Sequence, residues 1–402
     1  MFWKARVFTG CNKKAGESMN ILIAAPFGMY RDYTASFVHR QAVEIRKLGN
    51  SVRVIVPAAV MKKGNEGTRF YRKVTKVCKE GAEIYYISYI STAFLNMQAF
   101  NENNAVRAVI NSLEYILKDF SPDVIHAHGM LLGACIGSEI KKRCKFPLLI
   151  VTTHGSDTLE AVSPKRLRQT EKLCRNIDGL ICVSEKLKKI ITAAGLQCRI
   201  VKICNGFAAE NLIDAEKSKG AIIQAGHLIK SKHFDTTLRS IRTLRDDGLD
   251  VCFYIVGDGR EKRHLINLAK ALDIRDSVIF KGAVSNQELL RLMAESEFFI
   301  LPSYPEGFGI VYLEAMASGC VTIGTKKEGI SELIEHGVNG FLVDRDDDTA
   351  IAQIVKKVIS DDGMEQRICE NAKSSARRFS WKRNALECLE YYQSFDLKRG
   401  NL

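Results

Sequence analysis

An apolar, strand-like segment, Phe298-Phe299-Ile300-Leu301, is closely followed by Glu306-Gly307-Phe308-Gly309-Ile310-Val311-Tyr312-Leu313-Glu314. The second stretch opens with a glycine-containing turn and continues as a predicted helix over Ile310 to Ala317. A strand that passes through a short turn into a helix is typical of α/β folds with parallel sheets. Because backbone N–H groups converge at the start of such a helix, the turn predicts an anion-binding site.

Two glutamates bracket this turn, and their positions predict a second kind of contact. Glu306 precedes the helix, where it can reach a neutral polyol, whereas Glu314 lies on the helix and can accept two hydroxyl hydrogens at once. A carboxylate bonded to a vicinal diol gains charge-assisted hydrogen bonds of roughly 1.5–3 kcal/mol each. Taken alone, such a pair is more often a strand end and a solvated helix position. Together with an anion site, it predicts binding of a sugar nucleotide.

The residues around the turn favour the functional interpretation. Leu301 to Gly309 and Leu313 to Gly319 closely resemble the E-x7-E signature of retaining nucleotide-sugar glycosyltransferases of family 4, which have the GT-B architecture. The resemblance extends over nearly the whole chain from Met19. It implies two Rossmann-like, doubly wound parallel-sheet domains that face a central cleft. It also implies transfer of a sugar from a nucleoside diphosphate sugar to an acceptor hydroxyl, with retention of the anomeric configuration.

Periodicity independently predicts two α/β domains. Short apolar strands alternate with amphipathic helical segments, from Ile21–Ala25 to Ile200–Ile203 in the first half and from Ala221–Ala225 to Phe341–Val343 in the second. A chain of 402 residues is long enough to form two domains, each with its own hydrophobic core. We predict a disordered N-terminal extension (1–18), an acceptor-binding domain (19–205), a linker (206–220), a donor-binding domain (221–378) and a C-terminal helix (379–402) that packs back toward the N-terminal domain.

Motifs of the second half supply further donor contacts through the resemblance. Gly226 to Lys232 is similar to the family's G-R-L-x-x-x-K segment, in which the arginine and the lysine clamp the donor diphosphate. Lys232 matches the lysine, but His227 stands at the arginine position, and a neutral imidazole gives one donor where guanidinium gives a planar fork. Lys230 is a candidate to compensate for this departure.

Two other strand ends also match the family pattern. Gly257 lies in a turn that looks like the family's V-G-D-G-P segment, and Val284 ends a stretch resembling the F-x-G-x-V strand end that contacts the base. The resemblance thus implies three catalytic residues: Glu306, His154 and Lys232. The implied donor-binding residues are Glu314, Gly307, Phe308, Gly309, Ile310, His227, Lys230, Gly257, Val284 and Gly28.

The acceptor side is predicted from a loop in the first half. Thr152 to Asp157 is similar to the family's T-x-H-G-x-D loop, in which the histidine faces the donor sugar, so His154 is assigned that role. Asp157 is predicted to organise the loop or the acceptor. His126 and His128 end another strand and are predicted to be structural, with His128 also a candidate acceptor neighbour. Gly28 would let backbone approach the phosphates.

Positive charge is concentrated in the first half. Residues 1–205 contain 32 Lys and Arg against 16 Asp and Glu, whereas residues 206–402 contain 27 against 30. A basic face on the first domain suits an anionic membrane surface or a lipid diphosphate, and solvated lysines without a partner are the alternative. The segment from Arg69 to Lys79 interleaves five basic residues with apolar ones. As a helix it would be either a membrane-surface or lipid-acceptor element, or a solvated helix packed on its own domain.

Several other classes of protein are disfavoured. No apolar stretch approaches the roughly 18 residues of a membrane span, and residues 1–18 have no signal-peptide pattern. Twelve cysteines without metal-site spacing favour a reducing cytoplasm, with attachment to the inner face of the membrane as an option. The lack of aromatic-basic platforms argues against nucleic-acid binding.

The predicted pathway is cell-envelope, exopolysaccharide or lipid-linked glycan synthesis, and the acceptor a glycan or lipid-linked glycan. Without a D-x-D site in a suitable context, no cofactor and no metal are expected. A sugar-nucleotide epimerase of the same architecture and a catalytically silent GT-B scaffold are the alternatives. The donor base, whether uridine, guanosine or adenosine, stays open.

Overall fold

The computed structural model describes residues 18–26, 36–60, 74–91, 98–144 and 147–395. The described chain forms two compact units. The first contains the described residues up to Val183, then Leu187–Ile203 and residues 381–395, and the second contains Ser184–Lys186 and Cys204–Ser380. Apart from Ser18, the predicted N-terminal extension lies outside the described residues, and so does Gly28.

The first unit is built on an eight-stranded sheet with the order β3-β4-β2-β1-β5-β6-β7-β8. Neighbouring strands are parallel except for β3, which is antiparallel to β4. Its strands are β1 (Asn20–Ala24), β2 (Ser51–Val60), β3 (Val74–Lys79), β4 (Ala82–Ile90), β5 (Val124–His128), β6 (Leu148–Thr153), β7 (Gly179–Cys182) and β8 (Arg199–Lys202). The interior strands β5, β6 and β7 are buried along their whole length, as expected for parallel strands covered on both faces.

The described part of the first unit also contains the helices that connect these strands and one helix near the C-terminus. They are α1 (Ser36–Lys47), α2 (Gln98–Ile116), α3 (Leu132–Lys141), α4 (Ser156–Ala161), α5 (Leu167–Cys174), α6 (Glu185–Ala193) and α13 (Trp381–Gln393). Helix α13 contributes Cys388, Leu389 and Tyr392 to the core of this unit. The amide of Gln41 in α1 donates to the Asn384 side chain of α13 at 2.8 Å, so a buried polar contact fixes how the two helices pack.

The predicted helix over Arg69 to Lys79 is wrong for residues 74–79, which form the edge strand β3. Val77 lies opposite Ile84 in the antiparallel register, and the Lys76 ammonium pairs with the Glu83 carboxylate of β4. Valine and threonine favour a pleated strand, and here the neighbouring strand outweighs the helical spacing of the apolar residues. Residues 69–73 lie outside the described residues.

The second unit is built on a six-stranded parallel sheet with the order β11-β10-β9-β12-β13-β14. Its strands are β9 (Ser218–Ala225), β10 (Cys252–Val256), β11 (Val278–Gly282), β12 (Ser296–Ile300), β13 (Val321–Thr325) and β14 (Phe341–Val343). Counted along the chain this is the order 3-2-1-4-5-6 of dinucleotide-binding folds. The strand order reverses between β9 and β12, where such sheets bind ligands beyond the carboxyl ends of the strands. In the first unit the corresponding point lies between β1 and β5.

Six helices and four short 3-10 turns complete the described second unit. The helices are α7 (Phe234–Asp246), α8 (Lys262–Ala271), α9 (Asn286–Glu295), α10 (Ile310–Ala317), α11 (Asp348–Ile359) and α12 (Asp362–Ala376). The 3-10 turns are Ala209–Asn211, Lys230–Lys232, Arg275–Ser277 and Gly329–Glu332. Strand β9 begins at Ser218, which lies inside the predicted linker of residues 206–220. Within the described residues, no helix combines the length and the apolar character needed to cross a membrane.

Candidate active site

The turn after β12 leads into α10, whose predicted range is confirmed. Gly309 is the residue before the helix and has φ of +79°, a left-handed conformation that favours glycine. A Cβ atom on residue 309 would lie 2.4 Å from Cδ2 of Tyr312, so a side chain is also excluded by space. The backbone N–H groups that open α10 are therefore held in a turn that depends on glycine, as an anion site requires.

Lys232 and Glu306 form an ion pair beside this turn. The Lys232 Nζ lies 2.6 Å from Oε2 of Glu306, and the two side chains are 23% and 13% exposed. Ser303 donates from its hydroxyl to the same carboxylate oxygen at 3.0 Å. The lysine ends a 3-10 turn after β9 and the glutamate follows β12, so the pair lies where the strand order reverses. The structure thus brings together two of the predicted catalytic residues.

Glu328 and Gly329 support the turn, and sequence reasoning gave neither of them a role. The buried Glu328 carboxylate accepts a hydrogen bond of 2.7 Å from the backbone N–H of Glu306, and it also pairs with Arg345 at 2.9 Å. A Cβ atom on residue 329 would lie 2.0 Å from the carbonyl oxygen of Gly307. The Glu328 contacts fix the backbone of Glu306. Residue 329 must be glycine, because a side chain there would collide with the carbonyl oxygen of Gly307.

Glu314 lies on α10, as predicted, and contacts the first residue of α9. Its Oε1 accepts a hydrogen bond of 3.2 Å from the Asn286 side chain, two residues after Val284. Ser285 caps α9 by accepting a hydrogen bond from the Glu288 N–H. Desolvation raises the pKa of Glu314 to about 7, and the hydrogen bond from Asn286 opposes this shift. A ligand that gives the carboxylate more hydrogen bonds would favour its ionised form.

The remaining predicted donor residues surround the end of β9. His227 and Lys230 are exposed, and neither makes an ion pair within the described residues. Gly257 has φ of +134°, and a Cβ atom there would lie 1.9 Å from the carbonyl oxygen of Gly226. The close packing of these two strand ends therefore already accounts for the glycine at position 257. In the part of the chain that the structure describes, no group of three or more His, Cys, Asp or Glu could hold a metal ion.

In the first unit, the structure brings His154 together with His128. Nε2 of His154 lies 3.0 Å from Nδ1 of His128, and the two rings are stacked with their centroids 5.2 Å apart. His126 also stacks on His128, and it bonds to the Thr152 hydroxyl and to the Tyr392 hydroxyl of α13. His126 therefore has structural contacts on both of its ring nitrogens, whereas His128 directly contacts the predicted catalytic residue.

Burial keeps these three imidazoles neutral. Desolvation lowers the pKa of His126 to about 3 and holds the pKa of His128 well below its usual value. Desolvation also lowers the pKa of His154 to about 4, although the nearby Asp157 carboxylate acts in the opposite direction. At neutral pH each ring therefore has one N–H donor and one acceptor nitrogen.

Asp157 organises the loop that contains His154. Its Oδ1 accepts hydrogen bonds of 2.9 Å from the backbone N–H groups of His154 and Gly155. Its Oδ2 accepts from the Thr153 hydroxyl at 2.9 Å and from the Met130 N–H at 3.1 Å. Four donors thus already converge on this carboxylate, which favours the loop-organising role predicted for Asp157 over direct binding of an acceptor.

Comparison with known proteins agrees with this fold. Residues 34–211 match the sequence model of Glycosyltransferase Family 4, and residues 210–375 match that of Glycosyl transferases group 1. The chain belongs to the family 4 glycosyltransferases, which have the GT-B fold. It is 26% identical to an uncharacterized glycosyltransferase of Methanocaldococcus jannaschii, over 69% of this chain and 77% of that protein. It is also 33% identical to the N-acetyl-alpha-D-glucosaminyl L-malate synthase of Bacillus anthracis, over 40% of this chain and 41% of that protein.

Solved structures share the fold at low sequence identity. Sucrose-phosphate synthase from Thermosynechococcus elongatus has a TM-score of 0.76 at 16% identity, covering 93% of this chain and 98% of that chain. Anabaena HepE in complex with UDP and glucose has a TM-score of 0.72 at 19% identity, covering 94% of this chain and 100% of that chain.

Proposed function

We propose that this enzyme transfers a sugar from a nucleoside diphosphate sugar to an acceptor hydroxyl with retention of the anomeric configuration. The observation that carries the proposal is the Lys232–Glu306 pair at 2.6 Å, placed beside the helix start of α10 where the strand order reverses. The ammonium has three N–H donors, so it can keep Glu306 and still contact a diphosphate. Glu306 would bind hydroxyls of the donor sugar, and Glu314 the ribose diol.

In the proposed reaction the bond from the anomeric carbon to the diphosphate breaks, and the bond to the acceptor oxygen forms on the same face of the sugar. The departing phosphate takes the acceptor proton. Lys232 and the N–H groups of Phe308 to Ile310 would stabilise the charge that grows on the leaving group. His154 would bind the donor sugar.

A thermal-shift screen with UDP, GDP, ADP and their sugars tests the proposal. A nucleotide that binds only the folded protein at 100 times its Kd stabilises it by about 2.7 kcal/mol. Selective stabilisation by one base would identify the donor. Product analysis without acceptor distinguishes transfer from epimerisation, because only an epimerase turns the donor sugar into its epimer under those conditions. If no nucleotide shifts the unfolding temperature, the proposal fails.

The pathway we propose is envelope, exopolysaccharide or lipid-linked glycan synthesis at the inner face of the cytoplasmic membrane. The excess of Lys and Arg in residues 1–205 supports an anionic surface as a partner. Co-sedimentation with vesicles of anionic lipid, compared with vesicles of neutral lipid, tests this part separately. Equal binding to both would contradict it.

Donor affinity is expected to rise with pH through the titration of Glu314. The ribose diol needs the ionised carboxylate, and in the free protein the pKa of this group is raised to about 7. Binding to the ionised form alone makes the donor bind about ten-fold more tightly at pH 8 than at pH 6. Isothermal titration with the selected nucleoside diphosphate sugar across this range measures the effect, because its diphosphate has no free terminal phosphate group that titrates there.

The Glu314→Gln variant is the control for this pH dependence, because its amide does not titrate. We expect weak binding that is flat between pH 6 and 8. A Glu314→Ala variant with the thermal shift of the wild-type protein would contradict the ribose assignment altogether.

Transfer is expected to need no divalent metal. Lys232 and the helix start would supply the positive charge that a metal ion supplies in other transferases. Turnover measured with EDTA should match turnover without it. Complete loss of turnover that manganese restores would contradict the expectation.

His128 is proposed to position His154 rather than to touch the substrate. Nε2 of His128 is buried without a hydrogen-bond partner in the described residues. An orphaned N–H is rarer than an orphaned acceptor, so we place the His128 proton on Nδ1, where it donates to Nε2 of His154. This leaves the proton of His154 on Nδ1.

Replacing His128 is therefore expected to change the tautomer of His154. His128→Leu should lower kcat by up to about 10²-fold, the cost of a misplaced group, whereas His128→Asn, whose amide can donate from the same place, should recover most of it. Nitrogen-15 NMR of the His154 ring reports the tautomer in each variant. Equal kcat losses in both variants with an unchanged His154 spectrum would mean that His128 is only a packing residue.

A further inference from the structure

A large cavity lies in the first unit, where its strand order reverses. It has a volume of about 850 Å³ and is lined by Pro26 after β1, by Gly129 after β5 and by the start of α2. Small-molecule sites measure roughly 300–1,000 Å³ and favour this place in an open α/β sheet. Asp157 also lines the cavity and holds the backbone of His154, so the cavity adjoins the predicted catalytic loop.

The charged residues in the described lining of the cavity are not predominantly basic, in contrast to the first half of the sequence. Its described lining contains three carboxylates, on Glu102, Asp157 and Glu160, against the cations Lys165 and Arg166. Arg166 is already neutralised, since its Nη2 lies 3.0 Å from Glu102 and its Nε 3.5 Å from Glu160. An anionic ligand would therefore meet mostly paired or negative groups, which costs free energy in a partly buried site.

The other lining groups suit a sugar ring. The Phe100 side chain is 43% exposed, and Tyr89 and Leu131 add further apolar surface. Gln98 donates to Glu160 at 2.7 Å, which leaves carboxylate lone pairs for additional donors. A pyranose presents C–H groups on its faces, which pack on aromatic rings, and hydroxyl groups on its edge, which donate to carboxylates.

We propose that this cavity binds the uncharged sugar unit of the acceptor, rather than a phosphate or another anionic group of it. This inference rests on the proposed function and names the acceptor chemistry of the same enzyme. The net positive charge of residues 1–205 then serves a different contact from the one that binds the acceptor sugar.

Binding of simple sugars to the full-length chain tests this inference. The probes are the methyl glycosides of glucose, galactose, mannose and N-acetylglucosamine, and the 6-phosphate of each. Saturation-transfer NMR is run with and without the nucleoside diphosphate that stabilises the protein. We expect binding of at least one neutral glycoside and weaker binding of its 6-phosphate. Binding of the phosphates alone, or of no neutral glycoside, overturns the inference.

The same experiment separates this inference from the proposed function. If no nucleotide stabilises the protein, the proposed function fails. The saturation-transfer NMR experiment without nucleotide still reports whether the cavity binds a neutral sugar. If a nucleotide stabilises the protein and only phosphorylated sugars bind, the function stands and the inference fails.

Substitutions in the cavity then locate the bound sugar. Phe100→Ala and Glu160→Gln should each weaken glycoside binding about ten-fold, the effect of losing one good contact. Tyr115→Ala is the matched control, because Tyr115 is an exposed aromatic residue on the same helix and does not line the cavity. Equal effects of Phe100→Ala and Tyr115→Ala would place the sugar elsewhere.

Discussion

The Lys232→Ala variant is expected to lose about 10²–10³-fold in kcat, the usual cost of removing one group that stabilises developing negative charge. In the free protein the ammonium is already held 2.6 Å from Glu306, so it is in place before the donor arrives. The substitution removes a positive charge next to the leaving diphosphate and leaves a largely buried carboxylate without its partner. Steady-state kinetics with the identified donor measure the loss, and the KM of the donor should change less than kcat.

Lys356→Ala is the matched control for this experiment. Lys356 pairs with Asp247 at 2.9 Å in the same unit, but both side chains are well exposed, and such pairs contribute little to stability. This variant should keep wild-type kcat. If Lys232→Ala also keeps wild-type kcat while it still binds nucleotide, Lys232 does not act on the leaving group, and the proposed mechanism is wrong at that residue.

The sequence was sufficient to predict the part of the site that depends on local pattern. Lys232 was assigned through the resemblance to a family motif, whereas helix α10 and the positions of Glu306 and Glu314 around it follow from a strand end and a glycine-containing turn. Such features involve residues close in sequence, so periodicity and turn chemistry are enough to find them. Lys232 and Glu306 are 74 positions apart, so their pairing can be predicted only when the order of the strands in the sheet is known.

The sequence patterns did not predict the contacts that support the site, because these contacts join residues that are far apart in the sequence. Glu328 binds the backbone of Glu306 across 22 positions, and no periodic pattern marks a buried carboxylate as an acceptor for a distant N–H group. The stacking of His128 on His154 needs neighbouring β5 and β6. Strand β3 was predicted as a helix because Val74 and Val77 have helical spacing, and pairing with β4 outweighs that spacing.

The Glu306→Gln variant is expected to lose about 10²-fold in kcat, because the amide keeps the shape of the side chain but lacks the charge that holds Lys232 and strengthens bonds to sugar hydroxyls. The single amide oxygen can still accept from the Ser303 hydroxyl, which bonds to Oε2, but not also from the Gly307 N–H, which bonds to Oε1. The Glu328 carboxylate still accepts from the N–H of residue 306, so the turn should remain folded. Thermal unfolding of the variant checks this point. Kinetics with donor and acceptor measure the loss.

The Lys232→Ala/Glu306→Gln double variant tests whether the two residues act as one unit. If each side chain works through the ion pair, removing the second adds little, and the double variant should be about as slow as the slower single variant. Independent contributions would instead multiply, to a loss of about 10⁴–10⁵-fold from the two single effects. A multiplicative loss would contradict the paired mechanism and assign each residue to a different step. The Lys356→Ala/Asp247→Asn variant, which breaks an exposed pair of the same kind, should show no coupling at all.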